Sequence, residues 1–208
     1  SSKKIGICEI GVSYPDDTFG KESREGIPFT NILRDIIQFD DSLESALNRI
    51  TKANRTCDLI LGVGDGNQNS FRGIEYSHSV ANFYNDKDMK PDNSTWHPKI
   101  DNVVYYGMDW LCPPYNQKLA EQLQKYHGNI TAENTIRDIV PIVQTGDLHA
   151  AIYDLNELQL YLATAAGKGE SGPASAYDRQ FNHYDMNKIF AEPAPTTPVF
   201  SIGGGVEG

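Results

Sequence analysis

The chain has 208 residues, 28 of them acidic against 18 basic, for a net charge of −10. A chain this long suits one domain or one large subunit, and it buries roughly 70% of the surface its unfolded form exposes, so no staple is required. The acidic balance argues against nucleic acid and anionic membrane surfaces, because phosphate binding needs a basic face. No run approaches the ~20 apolar residues of a membrane span.

Lys4 to Val12 predicts a strand with Ile5, Ile7 and Glu9 on one face. No leader pattern stands at Ser1, and the chain enters this strand almost at once, which suggests a start inside a longer precursor. Ser13 to Glu25 is polar, with Pro15 and Gly20, and reads as a loop. Pro28 then opens a helix with Phe29, Ile32, Leu33, Ile36 and Ile37 at helical spacing. Asp41, with Glu44 three residues on, resembles a capping box for a second helix, which carries Leu43, Ala46, Leu47 and Ile50.

Asn54 to Tyr76 reads as a central hairpin: Leu59–Val63, a turn at Gly64-Asp65-Gly66, and a return through Phe71, Ile74 and Tyr76. The first run does not alternate, as in a strand buried on both faces. Glycines can cradle phosphate only where a helix opens behind them, and here a second strand follows. Ser77 to Lys99 reads as a long surface excursion and Ile100 to Tyr106 as a strand. Asn116 to Tyr126 is a helix stopped by His127-Gly128, and Thr131 caps another that runs to Pro141. Leu148 to Thr164 is a second hairpin turning at Asn156-Glu157. The order predicts an α+β protein of antiparallel sheets flanked by helices, with residues 1–166 as the domain and 167–208 as a surface-wrapping tail with a disordered end.

Three sequons, at Asn54, Asn93 and Asn129, point to N-linked glycans and a secreted or lysosomal, endomembrane-lumen location. Cys8, Cys57 and Cys112 have no metal spacing. In an oxidising compartment Cys57 and Cys112 are the pair to expect, since Cys8 falls in a strand read as buried; three reduced thiols is the alternative. The five histidines are scattered, so no metal is predicted, but His149, at a strand start, is one to watch. The densest unusual loop is Gly107 to Pro114, at a strand-to-helix junction, where sites tend to sit. Tyr106, Asp109, Trp110 and His149 are the candidate pocket residues; the plainer alternative has Trp110 plugging the core edge and Asp109 capping a helix. No complete catalytic constellation is readable.

The ordered runs CEIGVSYPDDTFG, GIPFTNILRDIIQF, NRTCDLILGVGDG, FRGIEYS, YYGMDWLCP and HAAIYDLNELQLYLATA resemble the C-terminal part of acid-ceramidase-like, penicillin-acyltransferase-type N-terminal-nucleophile hydrolases, from about Ile5 to Ile189. The resemblance implies an αββα sandwich and a precursor that cuts itself to expose an N-terminal cysteine. That thiolate, with its own amine as base, would attack an acyl amide or lipid substrate without metal or organic cofactor. The family's nucleophile lies upstream of the KKIGICEIG strand, so the resemblance makes the N-terminal segment of the same precursor a partner. Neither Cys8, inside a strand, nor Ser1 takes its place. Where family members carry an Asn-His pair, with Asn donating to an oxyanion, this chain has Gly107-Met108-Asp109-Trp110. The alternative is a non-catalytic secreted glycoprotein that uses the scaffold for binding or assembly. A third reading is a carbohydrate- or lipid-binding module built on Tyr177, Phe181 and Tyr184.

Overall fold

The structure, a computed structural model, describes residues 1–14, 19–20, 23–90, 95–106 and 113–193. The protein is α+β, with two antiparallel sheets and helices packed around them. The first sheet is a meander in the order β1 (Ile5–Gly11), β2 (Leu59–Asp65), β3 (Ser70–Tyr76), β4 (Ala81–Tyr84). The second has the order β5 (His149–Asp154), β6 (Gln159–Thr164), β7 (Asn182–Asp185).

β2 is buried along its whole length, as its unbroken apolar run predicts. Its inner face, Leu59, Leu61 and Val63, joins Ile5, Ile74 and Tyr76 against two helices, α1 (Phe29–Phe39) and α2 (Leu43–Lys52). These helices present Ile32, Ile36, Leu43, Ala46 and Ile50 at the spacing read from the sequence. Burying five such side chains contributes on the order of 10 kcal/mol before entropy is counted.

The cap of α2 is not Asp41 with Glu44 but Ser42 with Ser45, one residue later. The hydroxyl of Ser42 accepts from Ser45 N at 3.2 Å, while Asp40 is committed to Arg49 at 2.7 Å. The central turn is also shifted. Gly64 and Asp65 belong to β2, and Gly66–Asn69 make the turn. Asp65 explains the shift, because its buried carboxylate accepts from Asn67 N (2.8 Å) and Gln68 N (3.1 Å) in the turn and from Leu43 N (3.0 Å) at the start of α2. One side chain thus pins the hairpin to the helix layer.

Three further readings need correction. Ser77 to Lys99 is not all surface excursion, since Ala81–Tyr84 pairs with β3 as an edge strand too short to show its alternation. Ile100 to Tyr106 is not a strand. An isolated bridge, Ile100 to Val103, closes a turn at Asn102, whose φ is 61°. The helix capped by Thr131 does not stop at Pro141. It runs from α4 (Ala132–Asn134) through a π-helical turn, Thr135–Ile139, into α5 (Val140–Val143). Pro141 lies in the first turn of α5, where a missing N–H costs little.

A second core gathers Met89, Ile100 and Tyr105 with Ala120 and Leu123 of α3 (Pro113–Lys125) and with Ile139. Part of the segment read as a tail is structural. Ala176, in a short 3-10 turn, is fully buried, and β7 adds the third strand to its sheet before α6 (Met186–Ala191). Of its aromatics, Tyr177 and Phe181 are half-buried, whereas Tyr184 and Phe190 are exposed. The glycine-rich end, Gly203–Gly205, lies outside the described residues.

Candidate functional site

Strand alternation leaves one face of the first sheet turned away from α1 and α2. Register places Gly6, Cys8 and Ile10 beside Gly64, Gly62 and Ile60, and these beside Phe71, Gly73 and Glu75. Asn82 and Tyr84 of β4 complete the face. Ile10 (43%) and Phe71 (37%) are exposed there, and the outer edge of β1 has no strand beside it among the described residues.

Its glycines have a shared cause. A Cβ on Gly6 would lie 2.7 Å from Leu155 Cδ2, and one on Gly64 2.8 Å from Leu155 Cδ1. A Cβ on Gly66 would meet the Leu155 carbonyl oxygen at 2.6 Å. The bare strip is a seat for the turn between β5 and β6, and Lys4 Nζ donates to Asn156 O at 2.7 Å beside it. The two sheets meet here. Gly62 makes room instead for Phe71 and for the sulfur of Cys8.

Cys8 departs from the expectation of a buried residue, because β1 is an edge strand and the residue as a whole is exposed. Its sulfur is nonetheless tucked against Gly62 and Phe71, and burial pushes the thiol pKa up. A raised thiol pKa is the opposite of what an attacking cysteine needs. Tyr153, across from it, has its phenol pKa raised, first by burial and then by the charge that Cys8 would carry.

The other end of the face is polar. Glu75 is half-buried, and its carboxylate accepts from Tyr84 Oη at 2.8 Å, from Asn82 Nδ2 at 3.0 Å and from Tyr106 Oη. The rings of Tyr84 and Tyr106 are parallel within 3°, their centroids 6.4 Å apart. Tyr14 lies close enough to feel the charge of Glu75, and its ring stacks on Phe19 at 3.7 Å. Burial raises the phenol pKa of both Tyr14 and Tyr84, the charge of Glu75 adding to it, so both stay protonated donors.

Of the residues singled out from sequence, Tyr106 belongs to this cluster. Asp109, Trp110, Cys112 and Asn93 lie outside the described residues. His149 opens β5 opposite Thr164, in the other sheet, exposed and with no hydrogen bond among the described residues. Asn54 and Asn129 are exposed, and Cys57 is a half-buried free thiol. No group of three His, Cys, Asp or Glu side chains could hold a metal among the described residues, and no helix among them is long and apolar enough to cross a membrane. Sequence reading missed Glu75, Tyr84 and Tyr14. The available signal was the alternation of FRGIEY, which sets Glu75 opposite the inward Ile74 and Tyr76.

No model of a known protein family matches the chain. It is similar to two curated proteins of Dictyostelium discoideum. It is 39% identical to protein dcd1A over 198 residues, which is 91% of this chain and 44% of dcd1A. It is 34% identical to protein dcd1B over 209 aligned residues, which is 95% of this chain and 41% of dcd1B. The chain thus spans less than half the length of the curated relatives it matches.

Proposed function

We propose that this chain is one part of a secreted or lysosomal N-acyl amide hydrolase of the N-terminal-nucleophile type, whose cysteine belongs to a segment outside these residues. The observation that carries the reading is the outer edge of the first sheet, where Ile10 and Phe71 stay exposed. These apolar side chains, beside an edge strand with no neighbour among the described residues, fit a sandwich whose other part would lie outside this chain. The second sheet, seated through Leu155, would be the facing layer of an αββα arrangement. Gly64 and Gly66, in the run NRTCDLILGVGDG, supply part of that seat, and Gly6 of β1 supplies the rest. On this reading Tyr106 helps to wall the acyl-amide pocket, and exposed Asn54 and Asn129 carry glycans.

The test is intact-mass analysis of native material together with hydrolysis of an N-acyl amide probe. The expected result is a second polypeptide beginning with Cys, and turnover abolished by thiol alkylation in both the wild type and a Cys8→Ser variant. A lone chain with no turnover would sink the reading and leave the non-catalytic glycoprotein, which a stable partner in pull-down would then support.

A further inference from the structure

The residues ahead of β1 close a tight turn. Ser1 O accepts from Lys4 N at 3.0 Å, and Ser1 N donates to Ile5 O at 2.7 Å. Lys4 stands at φ 63°, in the left-handed region. Together these are the marks of a hairpin with a three-residue loop, whose last loop residue is left-handed and forms a bulge. The loop is Ser2–Lys4, and the residues it joins are Ser1 and Ile5. Ser1 therefore occupies the first rung of a ladder on the outer edge of β1, where its hydroxyl also accepts from Ile5 N at 3.3 Å.

The rest of that edge is open. In an antiparallel pair the N–H and C=O of one residue face the partner strand, and those of the next face away. Lys4 O accepts from Gly66 N and Val12 N donates to Asp58 O, so Gly6, Cys8 and Ile10, at the same alternation, face β2. Ile5, Ile7 and Glu9 face away. Ser1 takes up the groups of Ile5, and nothing among the described residues bonds the outward N–H and C=O of Ile7 and Glu9. Ile7 is half-buried at the margin of the helix-side core, and Ile10 is exposed on the opposite face. The edge thus offers unused rungs with apolar contact on both sides.

We infer that the outer edge of β1 is completed by a strand formed by the residues immediately ahead of Ser1 in a longer polypeptide, antiparallel to β1 and in the register that Ser1 begins. The turn delivers the chain to this edge and already makes the first pair. The curated relatives, more than twice as long as the stretch they share with this chain, have the length to supply such a strand. Alternation then sets the pairs: the second residue ahead of Ser1 faces Ile7, and the fourth faces Glu9. A second copy of this chain fits less well, because Ser1 and its turn fill the rung at Ile5. The inference shares the longer polypeptide with the hydrolase reading and rests on neither its cysteine nor its turnover.

The experiment compares amide hydrogen exchange, residue by residue by NMR, in this 208-residue chain and in the full polypeptide with its natural residues ahead of Ser1. In the shorter chain Ile7 and Glu9 should exchange freely while Cys8 and Ile10 are protected. In the longer one Ile7 and Glu9 should slow by at least roughly a hundredfold, with Cys8 and Ile10 little changed. Glu9→Pro removes an N–H that faces away from β2, so it spares the β1–β2 bonds and takes a donor from the incoming strand. In the longer polypeptide this variant, shown folded by far-ultraviolet circular dichroism, should exchange Ile7 at least roughly tenfold faster than the wild type. An encoded polypeptide that opens at Ser1, free exchange of Ile7 and Glu9 in the longer form, or unchanged Ile7 protection in folded Glu9→Pro would each overturn the inference. So would protection of Ile7 and Glu9 in the shorter chain that grows with its concentration, the sign of pairing between copies. If Glu9→Pro does not fold, the wild-type comparison decides alone. A longer polypeptide that protects Ile7 and Glu9 but hydrolyses no amide would refute the hydrolase and leave the strand standing; turnover with both amides unprotected would do the reverse.

Discussion

Asp65 joins three backbone N–H groups from two elements through one buried carboxylate, and a chain without it must bury those donors unpaired. Asp65→Ala is therefore expected to cost about 3 kcal/mol, read from the urea midpoint at unchanged slope. The hydroxyl of Ser42, which caps the same helix, has a smaller role, and Ser42→Ala should cost about 1 kcal/mol in the same assay. Tyrosines set a different dependence. Burial, with a smaller opposing pull from Arg55, leaves the phenol of Tyr76 at about 12 in the folded chain against an ordinary value of 10.0. The folded state thus keeps a proton that the unfolded state gives up. Stability should be flat below about pH 10 on this account and fall as pH rises from 10 towards 12, with tyrosinate absorbance appearing together with unfolding. Tyr76→Phe should flatten part of that fall.

At the level of elements, the meeting of the two sheets turns on Leu155 and the glycines beneath it. Gly6→Ala places a methyl 2.7 Å from Leu155 Cδ2, and Leu155→Ala removes the obstacle. Each single change should destabilise, and the double variant should be less destabilised than their sum, by at least about 0.5 kcal/mol in a double-mutant cycle. Additive effects would mean that the hairpin turn is not seated there. Elements with a strong local pattern were legible from sequence: α1, α2, the apolar run of β2, the hairpin of β5 and β6, and the stop at Gly128, whose φ is 78°. What escaped was short or fixed from afar. β4 has four residues and shows as a strand only beside β3, and β7, equally short, only beside β6. The turn between β2 and β3 is placed by Asp65 reaching α2, a contact across 22 positions that no local pattern announces. The site was half legible for the same reason: Tyr106 stood next to a conspicuous loop, whereas Glu75 acquires meaning only when register brings Asn82 and Tyr84 beside it.

For the whole molecule, the two cores lie on opposite sides of the first sheet near β3 and β4, while at its β1 end a helix layer covers one side, the β5–β6 turn sits on Gly6 on the other, and Ile10 and the outer edge stay exposed. Mixing this chain with the companion that the proposed function requires should slow exchange of β1 amides and leave those of β2 unchanged, measured by hydrogen exchange with mass spectrometry. Protection spread evenly over both strands would point to general tightening instead of docking along the edge.

The meander also has an unequal history of closure. β2 and β3 are joined by a few residues and can pair early, whereas β1 must wait for the intervening loop and two helices to find their places. A strand that arrives last and is held along one edge is also the first to leave. Partial opening should therefore begin by peeling Ile5–Gly11 from the sheet, and the newly bared edge of β2, apolar from Leu59 to Val63, would be the sticky surface from which aggregation starts.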